Sequence, residues 1–326
     1  MSRDTTESAT TSSTTETGAP WRASLQTALT PAVWGTTYIV ATELLPVGRP
    51  LFAAAVRALP VGIAFMLYRR CLPVGVWWWR ATVLGMLNIG AFFALLFVAA
   101  FRLPGGVAAT AGALQPLVAA AIASVVLGEV FTRRTALAGT VGVTGVALLV
   151  LGPQASLDPI GVAAAVAGTV SMATGVVLTK HWGRPVDLIS FTGWQLTAGG
   201  MALVPIVILT EGVPSEITPT NIAGFVWLAV AGTGLAYANW FRGIQLLPVS
   251  VVSFLALLSP LVATIAGWTL LDQTLSVAQL FGATLILAAV TMSQLTQRTR
   301  QPRTTAPQPA APNRVVAAPP PNTARS

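Results

Sequence analysis

Apolar residues run along this chain in blocks of about 20, separated by short segments carrying glycine, proline and charge. A helix rises 1.5 Å per residue, so each block is long enough to cross a hydrocarbon core of about 30 Å. Five blocks fall at 24–45, 50–69, 81–101, 104–128 and 135–152. Five more fall at 159–180, 188–210, 220–241, 248–271 and 275–295. The pattern predicts an all-α integral membrane protein with ten transmembrane helices. Residues 1–23, rich in serine and threonine, and 297–326, rich in proline, alanine and arginine, are expected to be disordered tails. The first 20 residues lack the basic start and short apolar run of a signal peptide.

The blocks repeat. Residues 103–129 read LPGGVAATAGALQPLVAAAIASVVLGE, and 247–273 read LPVSVVSFLALLSPLVATIAGWTLLDQ. Pro104 and Pro116 are 12 apart, as are Pro248 and Pro260, at an offset of 144. At that offset Gly90 pairs with Gly234 and Phe93 with Tyr237; at 138, Arg57 pairs with Gln195 and Gly62 with Gly200. Two units follow, 24–152 and 159–295. Five spans per unit is odd, so the units lie in opposite orientations, as inverted repeats do around a midplane site. Small residues after Pro104 let neighbouring helices approach closely. Pro116 is expected to remove one helical hydrogen bond near the midplane.

Composition agrees. Charged residues make up 9% and hydrophobic ones 54% of 326 residues, at a mean hydropathy of +0.73, against about 25% charged in soluble domains. Cys71 and His181, each the single residue of its type, argue against disulfides and a Cys/His metal site. The net charge of +8 is spread over loops and tail without a basic helix, which excludes a nucleic-acid partner. It does set orientation. With both termini cytoplasmic, the inner segments hold nearly all positive residues, leaving Arg49 and Arg102 outside and Arg57 within a span. No G-x-x-x-x-G-K-[ST] loop occurs, so no ATP-driven step is expected within this chain, and no cofactor or metal either. The loop carrying Trp77, Trp78, Trp79 and Arg80 reads as an interfacial anchor.

Arg57 is the sharpest candidate for chemistry. A mid-span charge costs about 2.5–3.5 kcal/mol on insertion scales, so it must face the bundle interior or water. It reads as an anchor for an anion, or as a structural partner of a helix carbonyl or of Glu43. Trp34 and Tyr38 share a helix face, as do Asn88 with Phe92 and Tyr237 with Trp240. Aromatics beside an amide suit a zwitterion or planar metabolite; ordinary packing, with Trp240 at the interface, suits them equally. Gln115 and Gln195 are candidates for binding or for interhelical hydrogen bonds. Glu43 is the candidate for proton coupling, with snorkelling to water as its alternative. Glu129 is expected to pair with Arg133 on the surface.

The stretches WGTTYIV (34–40), VRALP (56–60), LQPLVAAAIASVVLGE (114–129) and AYANWFRGIQLLPVSVVSFLALLSPL (236–261) resemble the EamA-type drug/metabolite transporters. The run FFALLFVAAFRLPGGVAAT (92–110) looks like the PecM-like branch. The resemblance implies the ten-helix fold, an arginine at position 57 as a common trait, and a bacterial inner-membrane exporter of amino acids or related metabolites. The PecM-like branch implies efflux of pigments or secondary metabolites. One departure stands out: Gly128 and Glu129 end the fourth span, but Asp272 and Gln273 end the ninth, which argues against symmetric ion coupling. The expected function is secondary transport, not catalysis, by alternating access. The expected partners are a small-molecule substrate and the lipid bilayer, with a homodimer left open. Multidrug efflux is an alternative, as is a membrane sensor or regulatory protein acting through the tails. A lipid-modifying enzyme lacks the clustered acids and histidines it needs.

Overall fold

The computed structural model describes residues 20–103, 105–150, 158–271 and 274–298, so the expected tails lie almost wholly outside the described residues. Every described element is helical. In chain order they are α1 (Pro20–Glu43), α2 (Pro50–Arg69), α3 (Trp77–Gly85), a π-turn (Met86–Gly90), α4 (Ala91–Arg102), α5 (Gly105–Gly112), α6 (Gln115–Val126) and α7 (Arg133–Val150). Then follow α8 (Pro159–Trp182), α9 (Leu188–Thr210), α10 (Pro219–Ala229), a second π-turn (Val230–Leu235), α11 (Ala236–Leu246), α12 (Val249–Leu255), α13 (Leu258–Leu270) and α14 (Val277–Arg298). Among the described residues, eight segments are long and apolar enough to cross a membrane, including the merged stretches Trp77–Leu96, Pro219–Leu246 and Val249–Leu270. Helices α1 and α7 are not among the eight; α7 opens on Arg133 and Arg134.

Two expectations are corrected. Trp77, Trp78 and Trp79 form the first turn of α3 rather than a loop; Trp77 packs edge-on to Phe191, while Trp78 and Trp79 stay half exposed. Pro116 does more than remove one hydrogen bond. It ends the helix outright at Ala113 and Leu114, and α6 restarts with the proline in its first turn. The ring cannot donate to the carbonyl four residues back, and the backbone tightens to three-residue bonds, Leu114 N to Ala111 O at 3.2 Å among them. Thr169 on α8 then donates to the Ala111 carbonyl at 3.1 Å. The second copy breaks alike, at Ala256 and Leu257 before Pro260.

Glycines let the two longest helix pairings approach closely. α2 lies along α9 and α7 along α14, the two most extensive pairings in the bundle. An ideal Cβ on Gly200 would lie 2.8 Å from Leu59 Cβ, and one on Gly62 would strike the Leu196–Thr197 backbone. In the other pair, a Cβ on Gly145 would lie 2.8 Å from Gly282 O, and one on Gly282 2.6 Å from Gly145 O. Without side chains these backbones touch directly, so packing replaces the hydrophobic drive that lipid does not supply. The largest buried cluster draws on α2, α8, α9, α11 and α12 among others and includes Phe93, Tyr237, Trp240 and Phe241.

Candidate functional site

A π-turn widens the helix by one residue and leaves carbonyls without the usual donor. Both π-turns here offer those carbonyls to side chains from the opposite half of the chain. In the first, Ser171 Oγ donates to Leu87 O at 3.0 Å and Tyr237 Oη to Asn88 O at a long 3.5 Å. In the second, Arg57 Nη2 and Trp34 Nε1 both donate to Gly232 O, at 2.8 and 3.0 Å, and Arg57 Nε donates to Thr233 Oγ1 at 2.8 Å.

Arg57 is thus buried at 9% exposure and held by a helix carbonyl, one of the two roles its sequence position suggested. Its guanidinium also lies 5.4 Å from the centre of the Phe93 ring. The ion pairs among the described residues are Arg69–Asp187 at 3.2 Å and Arg102–Asp158 at 3.7 Å. Among the described residues no carboxylate pairs with Arg57. Around it the Trp34 ring meets Tyr237 and Trp240, each at 5.2 Å between centroids, and Tyr237 meets Phe241 at 5.7 Å. Trp240 is fully buried, not interfacial. The structure therefore brings Trp34, Arg57, Tyr237 and Trp240 together.

Asn88 and Phe92 do not share a wall with them. The extra residue of the first π-turn rotates the downstream face by about 100°. Asn88 instead donates through Nδ2 to Gln195 Oε1 at 2.9 Å and Thr179 Oγ1 at 3.2 Å. Phe93, not Phe92, faces Arg57; Phe92 packs on Phe93 at 5.6 Å. Gln195 belongs to the Asn88 network. Gln115 sits just after the break, with Nε2 buried and unpartnered. The side chain of Tyr38 lies outside the described residues. Glu43 is exposed at the end of α1, taking a 3.3 Å hydrogen bond from Thr42.

Glu129 does not form the expected pair with Arg133. Its Oε1 accepts the Val249 N–H at 3.0 Å, capping α12 from across the bundle, where an acidic oxygen suits the positive end of a helix. Beside it Lys180 Nζ donates to Gln245 O and Leu247 O, both at 2.9 Å, at the end of α11. Phe93, Gly232 and Thr233 were missing from the sequence candidates. The signal was available at Gly232, Thr233 and Gly234, whose counterparts at offset 144 are Asn88, Ile89 and Gly90.

Comparison with known proteins decides what kind of molecule this is. The model of the EamA-like transporter family matches residues 21–151 and again 159–294. This chain belongs to the EamA-like transporter family. It is 47% identical to protein PecM of Dickeya dadantii over 266 residues, 81% of this chain and 89% of that one. It is 28% identical to a chloroplastic WAT1-related protein of Arabidopsis thaliana, over 79% of this chain and 66% of that one. The inner membrane transporter YedA of Escherichia coli K12 is 27% identical, over 81% and 87%. A crystal structure at 20% identity superposes with a TM-score of 0.74, covering 84% of this chain and 99% of the other, and so shares the fold. As an EamA-like, PecM-like transporter, the chain is a multi-pass membrane protein that moves a solute rather than transforming one.

Proposed function

We propose that this chain is a secondary transporter that exports a small metabolite, such as an amino acid or its derivative, by alternating access. The observation that carries the reading is the Gly232 carbonyl, which takes hydrogen bonds from Arg57 and Trp34 of the other half. A charge held this way, without a counter-charge, suits a site that opens to an anionic group. The architecture proposed is ten transmembrane helices in two inverted five-helix repeats, spanning 24–152 and 159–295. Support comes from the π-turns and helix breaks recurring about 144 residues apart, and from the reciprocal glycine contacts of α2 with α9 and α7 with α14. Helices α1 and α7 count as spans in this reading because α1 packs on α13 and α7 along α14. The substrate site proposed centres on Trp34, Arg57, Tyr237 and Trp240, with Tyr38 and Gln115 kept as candidates; Asn88 and Gln195 are assigned instead to the neutral network at the first π-turn, and Phe92 to packing behind Phe93. Positive-side bias supports a bacterial inner-membrane setting with both termini cytoplasmic. Glu43 keeps its place as coupling candidate, reached from the outer water.

A second reading, efflux of a pigment or other flat secondary metabolite, is favoured by the aromatic faces of Trp34, Tyr237 and Phe93 beside Arg57. Both readings are tested by flux of a labelled amino-acid and metabolite panel in proteoliposomes, with and without a pH gradient, beside Arg57→Ala and Tyr237→Ala. Flux that both substitutions abolish in folded protein is expected. A well-folded preparation that moves no compound defeats the carrier reading.

A further inference from the structure

Hydrogen-bonding capacity left over around Arg57 is one-sided. Its Nε and Nη2 are engaged, while Nη1 makes no hydrogen bond to a described residue. Trp240 Nε1, one ring away across Trp34, is buried and unpartnered. Elsewhere in the core Gln115 Nε2, at the start of the half-helix α6, is likewise a buried donor without a partner. The acceptors nearby are already taken: Gly232 O by two donors, Thr233 Oγ1 by Arg57, Asn88 O by Tyr237. The idle Asn88 Oδ1 is turned onto Gly175, where an added Cβ would strike it. All six carboxylates among the described residues (Glu43, Glu129, Asp158, Asp187, Glu211, Glu216) lie at helix ends or in loops.

Buried donors without acceptors are costly, and a ligand that supplies acceptors recovers that cost. A guanidinium edge adds preference for an oxyanion. An ammonium would meet the Arg57 charge with no carboxylate to offset it, while the rings of Trp34, Tyr237 and Phe93 offer flat apolar faces. Resting on the carrier reading above, we propose that the cargo is an anion without a positive end, a carboxylate or enolate borne on a planar conjugated frame. This narrows the metabolites above to derivatives that have lost or masked the amine, and sets the free zwitterion below them.

Three compounds sharing one indole ring test this in proteoliposomes above neutral pH, with protein-free vesicles subtracted: indole-3-propionate, tryptophan and N,N,N-trimethyltryptammonium. Flux of the propionate is expected to exceed both others by about tenfold, the worth of one charged hydrogen bond. Arg57→Lys should keep the order and Arg57→Gln should erase it. Equal or faster flux of tryptophan or of the cation in the unaltered protein overturns the proposal, as does an order that survives Arg57→Gln. If none of the three moves while the wider panel shows a transported compound, the substrate class is wrong and the carrier reading stands. Silence across the whole panel in folded protein removes the carrier reading itself.

Discussion

The two π-turns, Met86–Gly90 and Val230–Leu235, share a backbone device and sit about 144 residues apart, yet their surroundings differ in kind. The first is closed by neutral groups: Asn88 lies with Thr179 and Gln195, and Ser171 holds Leu87 O, all of them buried. The second is held by a guanidinium and an indole that reach across from α2 and α1. A neutral amide network rigidifies once its bonds are made. A charge without a partner stays energetically exposed to whatever else enters. On the proposed reading, one turn holds the two halves of the chain in register and the other meets the solute.

That contrast breaks most visibly at Arg57. Arg57→Ala should lower flux about 100-fold, matching the loss of charge-assisted hydrogen bonds worth about 3 kcal/mol, while the bundle still folds. Lysine at this position should restore part of the flux. The first turn should respond the other way. Gly175→Ala places a Cβ against Asn88 Oδ1 and is expected to cost about 1–3 kcal/mol of stability by overpacking. Thermal unfolding in detergent reads that loss, with flux per folded molecule unchanged. If Gly175→Ala spares stability but lowers flux, the division between the two turns fails.

The same contrast shows how far the sequence could be read. Apolar blocks and the paired prolines made the helices and the duplication visible, because lipid demands about 20 apolar residues wherever the chain crosses. Arg57 was legible because a charge inside a span is rare, and Trp34, Tyr237 and Trp240 because each shares a helix face with a second aromatic. Phe93 was hidden from the site by a π-turn, whose extra residue no periodic count includes, so Phe92 took its place. Gly232 was hidden because it acts through a carbonyl, which every residue has. Glu129 was misread because its partner, the Val249 N–H, lies 120 residues away, whereas Arg133 lies one helical turn away.

Glu129 sharpens the comparison at the cytoplasmic end of the proposed topology, where its carboxylate oxygen caps a helix of the other half. Glu129→Ala should destabilise the α12 start by about 1 kcal/mol, the usual worth of a cap. Glu129→Gln should retain most of this, since an amide oxygen also accepts. Amide exchange at Val249 and Ser250 is the direct measure: it should quicken in the alanine variant and stay near the parent rate in glutamine. Equal rates in all three would mean that the cap carries no energy.

The smallest effect expected is at Asp187, which joins α2 to α9 at the same end. Partial burial pushes its carboxyl up, but hydrogen bonds from the Ser190 hydroxyl and backbone N–H, with the Arg69 guanidinium, outweigh this and hold it below the usual carboxylate range. A carboxylate whose folded pKa is depressed stabilises the fold fully above its unfolded value, about 3.9. That contribution is lost as pH falls through the lower folded value. Unfolding midpoints followed from neutral to acid pH should therefore fall more steeply in the parent than in Asp187→Asn, with the two differing most at neutral pH. The pair is more than a third exposed, so solvent screening keeps the difference small. Parallel curves would show that Arg69 and Asp187 merely lie side by side, leaving the α2–α9 contact to the glycines that let their backbones touch.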